Sequence, residues 1–191
     1  MSKGFRVTTT GGFWAALACF WLLDEWDLLP PFLLASALHE AAHLGVLSLL
    51  HVPVSALELR AGGAVIRAQL RSEMREAWAI AAGPGVNLLL AALFFRAWPL
   101  FSLCNLTLGF CNLLPLSMLD GGKLCALLLP CWLGSTGETV CQILHWLTLF
   151  SLVICGVWAT CVLHYGLLPV LLAGIFLWKL PNPLAKPGEG W

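Results

Sequence analysis

The chain has 191 residues, of which 60% are hydrophobic and only 10% charged, and its mean hydropathy is +0.87. A chain this apolar cannot cover itself with a polar surface, which excludes a soluble globular domain and points to a polytopic membrane protein. Ten Lys and Arg balance ten Asp and Glu, so no basic surface is available for nucleic acid.

Lys3 and Arg6 precede the first apolar stretch in the manner of a secretory signal, but "WLLDEWD" follows with no small-x-small cleavage site, so a retained segment is expected. A hydrocarbon core about 30 Å thick needs about 20 apolar residues as helix. That spacing sets spans at about 7–23, 28–51, 77–98 and 100–119. The apolar tract 139–180 suffices for two more, with a break near "LHYG" at 163–166. Lys3, Arg6, the Arg60/Arg67/Arg71/Arg75 group, Lys123, Lys179 and Lys186 fall on one side if the spans alternate, which makes that side, and the N-terminus, cytoplasmic. Arg96 is the exception. Between the second and third spans, "VSALELRAGGAVIRAQL" alternates around Gly62 and Gly63 like a β-hairpin with a glycine turn, or forms an ordinary loop. The expected architecture is an all-α polytopic membrane protein. It has five to six transmembrane helices and a short hairpin at about 54–70, in one domain over 1–180 with a flexible tail at 181–191.

The second span carries "SALHEAAHLGVLSLL", with His39, Glu40 and His43 inside an apolar run. A charged group near a bilayer centre costs about 2.5–3.5 kcal/mol even on insertion scales, so chance placement is disfavoured. On a helix, positions i and i+4 lie about 40° apart on one face, so both imidazoles can grip one metal ion, and zinc fits. Glu40 lies about 100° from His39, outside the ligand set yet near enough to take a proton from the attacking water.

A hydrolytic zinc keeps three protein ligands and one open position. His51, His145 and His164 are single histidines in or near apolar segments. Asp120 stands out in "CNLLPLSMLDGGKL", where Pro115 breaks the helix and Gly121 and Gly122 let the backbone turn around the carboxylate. The plain alternative is a helix end with an aspartate turn at the membrane surface. In "AAGPGVNLLLAAL", Gly83, Pro84 and Gly85 allow close helix approach, and Asn87 can hydrogen-bond across that interface. The eight cysteines contain no Cys-x-x-Cys pair and read as small buried hydrophobes.

"HEAAH", "AAGPGVN" and "NLLPLSMLDGGK", in that order over about residues 30–130, resemble the site-2 protease family of intramembrane zinc metalloproteases, most of all its compact bacterial, sporulation-protease-like branch. The resemblance implies that His39, His43 and Asp120 bind one Zn2+, that Glu40 activates water, and that Asn112 stabilises the oxyanion or positions substrate. It implies that the hairpin is membrane-associated and pairs with an extended substrate by strand addition. It further implies a membrane-embedded protein substrate such as a pro-sigma or anti-sigma factor, a bacterial inner or forespore membrane, and separate regulatory membrane proteins, since neither a PDZ insertion nor a CBS domain is expected here. The family often has prolines where this chain has Ser117 and Met118. The competing classes are an inactive scaffold of the same family and a metal-binding or transport protein, which would be expected to line a path with several ligands in repeated halves.

Overall fold

The first apolar stretch opens as a strand. In the computed structural model, which describes residues 6–24, 27–60, 63–68 and 72–162, β1 spans Arg6–Thr9 and helix α1 spans Gly11–Leu23. The expected helical span at 7–23 is corrected on this point: the β-branched run Val7-Thr8-Thr9 favours extended backbone. Thr10, itself extended, caps α1 by accepting the Phe13 N–H on Oγ1 at 3.3 Å. The 13 residues of α1 reach about 20 Å at 1.5 Å per residue.

Helix α2, Leu29–Leu49, starts with prolines in its first turn, where their missing N–H groups leave no helical bond unmade. The Asp24 carboxylate supplies what the prolines cannot, accepting the N–H groups of Leu28 at 2.8 Å and Leu29 at 2.7 Å. Asp24→Ala is therefore expected to lower the stability of the folded chain in detergent by about 1 kcal/mol, read from thermal unfolding. Ala35, His39, His43 and Leu47 of α2 are buried at a spacing of four, a single stripe that places both histidines on the packed face.

The hairpin is present as β2, Val54–Arg60, and β3, Gly63–Ala68, paired antiparallel from Val54↔Ala68 to Arg60↔Gly63. Gly63 takes φ +117°, which favours glycine. An all-α fold with a hairpin alone is corrected to a three-stranded mixed sheet of order β1-β2-β3, in which β1 pairs parallel with β2 from Arg6↔Ala56 to Thr9↔Leu59. Ile66 of β3 packs with Leu47 of α2 and Ala79 of α3, which docks the sheet on the helices. On the sheet surface Glu58 meets Arg60 at 2.5 Å and Arg67 at 3.0 Å. The Arg60 hydrogen bond, with the charge of Arg67, holds the Glu58 carboxyl below its usual range.

Helix α3, Glu73–Phe94, packs on both α2 and α4, Pro99–Asn112. Ser102 Oγ of α4 donates to the Ala91 carbonyl of α3 at 2.6 Å. A Cβ on Gly109 would lie 3.1 Å from Leu88 and 3.4 Å from Asn87, so the two helices approach closely there. Asn87 is fully buried at this contact. The cross-helix bond expected of its amide is made by Ser102 instead, and neither Asn87 side-chain polar atom has a hydrogen-bond partner among the described residues.

The chain divides into two compact units at Asn112 and Leu113, and the elements above make up the first. In the second, α4 is followed by turns over 113–119, so the expected span at 100–119 is corrected to a 14-residue helix and a turn. Pro115 sits in that turn, as its chemistry requires. Helix α5, Asp120–Leu133, was not expected as a separate element; it ends at Gly134, whose φ is +58°. It packs on α6, Ser135–Val162, whose 28 residues exceed a bilayer core. The expected break at 163–166 and the tail lie outside the described residues. Among the described residues three helices are long and apolar enough to cross a membrane, within α2, α3 and α6.

Candidate metal centre

Two imidazoles on the buried stripe of α2 face one another. His39 is 4% exposed and His43 7%, and their Nε2 atoms lie 3.1 Å apart with the rings at 84°. Nδ1 of His43 is 2.7 Å from the carbonyl oxygen of Ala79 on α3. A carbonyl only accepts, so Nδ1 carries the proton and donates it, leaving the Nε2 lone pair turned toward His39. This is the arrangement in which metal-ligating histidines are held, with the far ring nitrogen fixed to a backbone carbonyl. A tetrahedral zinc with Zn–N bonds of about 2.0–2.1 Å sets its ligand nitrogens about 3.3 Å apart, close to the observed pair.

Gly83 of α3 makes room for this pair. A Cβ there would collide with His43 Nε2 and stand 2.6 Å from His43 Cε1 and 2.7 Å from His39 Cε1. The close helix approach that the sequence context of Gly83 implies is here an approach to the two imidazoles. Glu40, next along α2, is half-buried.

In the second unit, Asp120 is the first residue of α5 and is 5% exposed. Its Oδ1 lies 3.2 Å from Nζ of Lys123, one turn on. The helix N-terminus and this ammonium both favour a carboxylate at the position. From charge placement alone Lys123 serves only to mark orientation, although Asp-x-x-Lys at i and i+3 on a helix is a legible pairing signal. A Cβ on Gly121 would collide with the Leu113 carbonyl, and one on Gly122 with that of Leu116, so the paired glycines let the preceding turn fold back onto α5.

The remaining expected residues are dispersed. Asn112 closes α4, half-buried, with Nδ2 donating to the Leu108 carbonyl at 3.1 Å. His51 lies in the turn after α2 with φ +57°. His145 accepts a hydrogen bond from the backbone of Ser117. His164 lies outside the described residues. The expected burial of the cysteines holds for Cys104, whereas Cys19, Cys111, Cys131, Cys155 and Cys161 are exposed.

His39 and His43 in the first unit and Asp120 in the second are each buried, and each offers an atom of a type that ligates metal ions. Two imidazole nitrogens and one carboxylate oxygen are a donor set that zinc accepts. The donor chemistry, the His43 tautomer and the space left at Gly83 therefore fit a zinc ion.

The fold and these residues define a helical membrane protein with a metal-site motif in an apolar helix. A family model, Peptidase family M50, matches residues 96–155, which include Asn112 and Asp120. The solved structure "Site-2 Protease from Methanocaldococcus jannaschii" shares this fold with a TM-score of 0.69, at 18% identity over 99% of this chain and 94% of that one. No curated protein matches the chain by sequence. The family-model match covers less than half of the chain, and the likeness to the solved structure is one of fold.

Proposed function

We propose that the protein is an intramembrane zinc metalloprotease that hydrolyses a peptide bond in or near the transmembrane segment of a membrane-anchored protein. The observation that carries this reading is the buried His39 and His43 pair, with Nε2 atoms 3.1 Å apart and one ring fixed by the Ala79 carbonyl. His39, His43 and Asp120 would hold the zinc. Zinc, when bound, acts as a Lewis acid on the scissile carbonyl and lowers the pKa of water.

The chain's own residues do the rest. Glu40, on the same turn of α2 as the ligands, takes the proton of the attacking water and passes it to the leaving amine. Asn112 turns an amide donor to the oxyanion or the substrate backbone. β2 is paired on both sides, which leaves β1 and β3 as the sheet's edges among the described residues, and an unwound substrate would add as a strand at β3, the outer strand of the hairpin. The finer picture keeps five to six spans in one domain, a cytoplasmic N-terminus and a bacterial membrane. Its substrate is a regulatory protein such as a pro-sigma or anti-sigma factor, with sporulation as the process and separate membrane proteins as regulators.

The test is zinc per chain in detergent-purified protein, for wild type and Asp120→Asn, alongside cleavage of a panel of membrane-anchored substrates. About one zinc and cleavage are expected for wild type. Asp120→Asn should bind zinc at least tenfold more weakly, a loss of about 1.4 kcal/mol. Folded wild-type protein that takes up no zinc would refute the proposal, and an unchanged affinity in Asp120→Asn would remove that residue from the ligand set.

A further inference from the structure

The turn that delivers Asp120 is held from two sides. Over 113–119 it makes two internal bonds, Leu116 N–H to the Leu114 carbonyl and Leu119 N–H to the Leu116 carbonyl, each 2.8 Å. The first closes a three-residue turn centred on Pro115, whose fixed φ suits it. The second closes a β-turn with Ser117 and Met118 at its centre. Neither has a positive φ, which excludes the glycine-requiring types and leaves the type I class, with Ser117 at its second position. On one side this turn lies against α5, through the bare Cα atoms of Gly121 and Gly122.

On the other side it is tied to α6. The N–H of the second residue of a β-turn takes no part in the turn's own bond, and here Ser117 donates it to Nδ1 of His145 at 3.2 Å. To accept, Nδ1 must be unprotonated, so the neutral ring carries its proton on Nε2. Proline is favoured at this turn position because it sets φ and has no N–H to satisfy. With serine there, the backbone is freer and its N–H is left without a bond inside the turn, and His145 answers both requirements from 28 residues further along the chain.

We propose that His145 is a positioning residue for the metal centre: its hydrogen bond to Ser117 fixes the turn that aims the Asp120 carboxylate. Asp120 begins α5 three residues after Ser117, and Leu119, between them, is that helix's N-cap. A turn released from α6 carries this first residue with it. The proposal rests on the reading of Asp120 as a zinc ligand.

The experiment uses the full chain in detergent, with zinc affinity from chelator competition and amide exchange of the 113–119 peptide. His145→Ala should weaken zinc binding about 3- to 10-fold, the worth of one net hydrogen bond, and should speed exchange across the turn. His145→Asn, whose Oδ1 reaches about where Nδ1 sits, should restore both. In a Ser117→Pro background, which has no N–H to donate, His145→Ala should cause no further loss. Wild-type affinity and exchange in His145→Ala, or an equal loss with proline at 117, would overturn the role of His145. Wild-type protein that binds no zinc would instead overturn the ligand reading, and this inference with it.

Discussion

Glu40→Gln is expected to keep about one zinc per chain while its cleavage rate falls about 10²–10⁴-fold, the usual share of a positioned general base. The argument is geometric first. His39 and His43 lie on the buried stripe of α2 with Nε2 atoms 3.1 Å apart, and Glu40 is rotated about 100° from His39 around the helix, off the axis that joins the ligands. Removing its charge therefore leaves the proposed ligands His39, His43 and Asp120 unchanged. Glutamine has almost the same shape but cannot accept a proton at neutral pH. The fold should be kept, because glutamine has the length of glutamate and retains a hydrogen-bonding side-chain oxygen. The measurement is zinc content beside single-turnover cleavage of one membrane-anchored substrate. Parallel loss of zinc and cleavage would make Glu40 a ligand or a structural residue; retained cleavage would assign the base to another group.

What could be read from the sequence is what depends on local spacing. His39 and His43 needed only the i and i+4 geometry of one helix, and the stripe Ala35, His39, His43, Leu47 bears this out. The hairpin followed from alternation around Gly62 and Gly63, and Gly63 has the positive φ that the turn calls for. The third strand was not legible, because β1 is defined by a partner 50 residues away, from Arg6↔Ala56 onward. Within four residues, Val7-Thr8-Thr9 looks equally like the start of an apolar helix. Helix α5 was hidden for a different reason: Gly121, Gly122 and Pro130 argue against a helix in isolation. Here the glycines are required by the turn packed on them and the proline by nothing seen in the structure. His145 was visible only as a lone histidine, since its bond to Ser117 joins two elements that the sequence does not connect.

Gly83→Ala is expected to weaken zinc binding about 5- to 150-fold, corresponding to an overpacking cost of about 1–3 kcal/mol placed on His39 and His43, the histidines proposed to hold the ion. The added methyl would collide with His43 Nε2 and crowd Cε1 of both imidazoles at 2.6 and 2.7 Å. Side chains can usually yield to one methyl group, but these two have little room. His43 is held at 2.7 Å by the Ala79 carbonyl, its ring centroid is 4.7 Å from that of His39, and both residues are buried. Relief requires breaking the Ala79 bond, which also frees the His43 tautomer, or separating the pair, which loses the bite for one ion. Global stability should change much less, because alanine recovers about 1 kcal/mol of helix propensity over glycine, offsetting part of the strain. A large loss of zinc affinity with a nearly unchanged unfolding temperature is thus the expected signature. Wild-type zinc affinity in Gly83→Ala would mean that the imidazoles bind from a position away from α3. A matching collapse of zinc binding and unfolding temperature would make Gly83 a helix-packing residue, the role its sequence context first suggests.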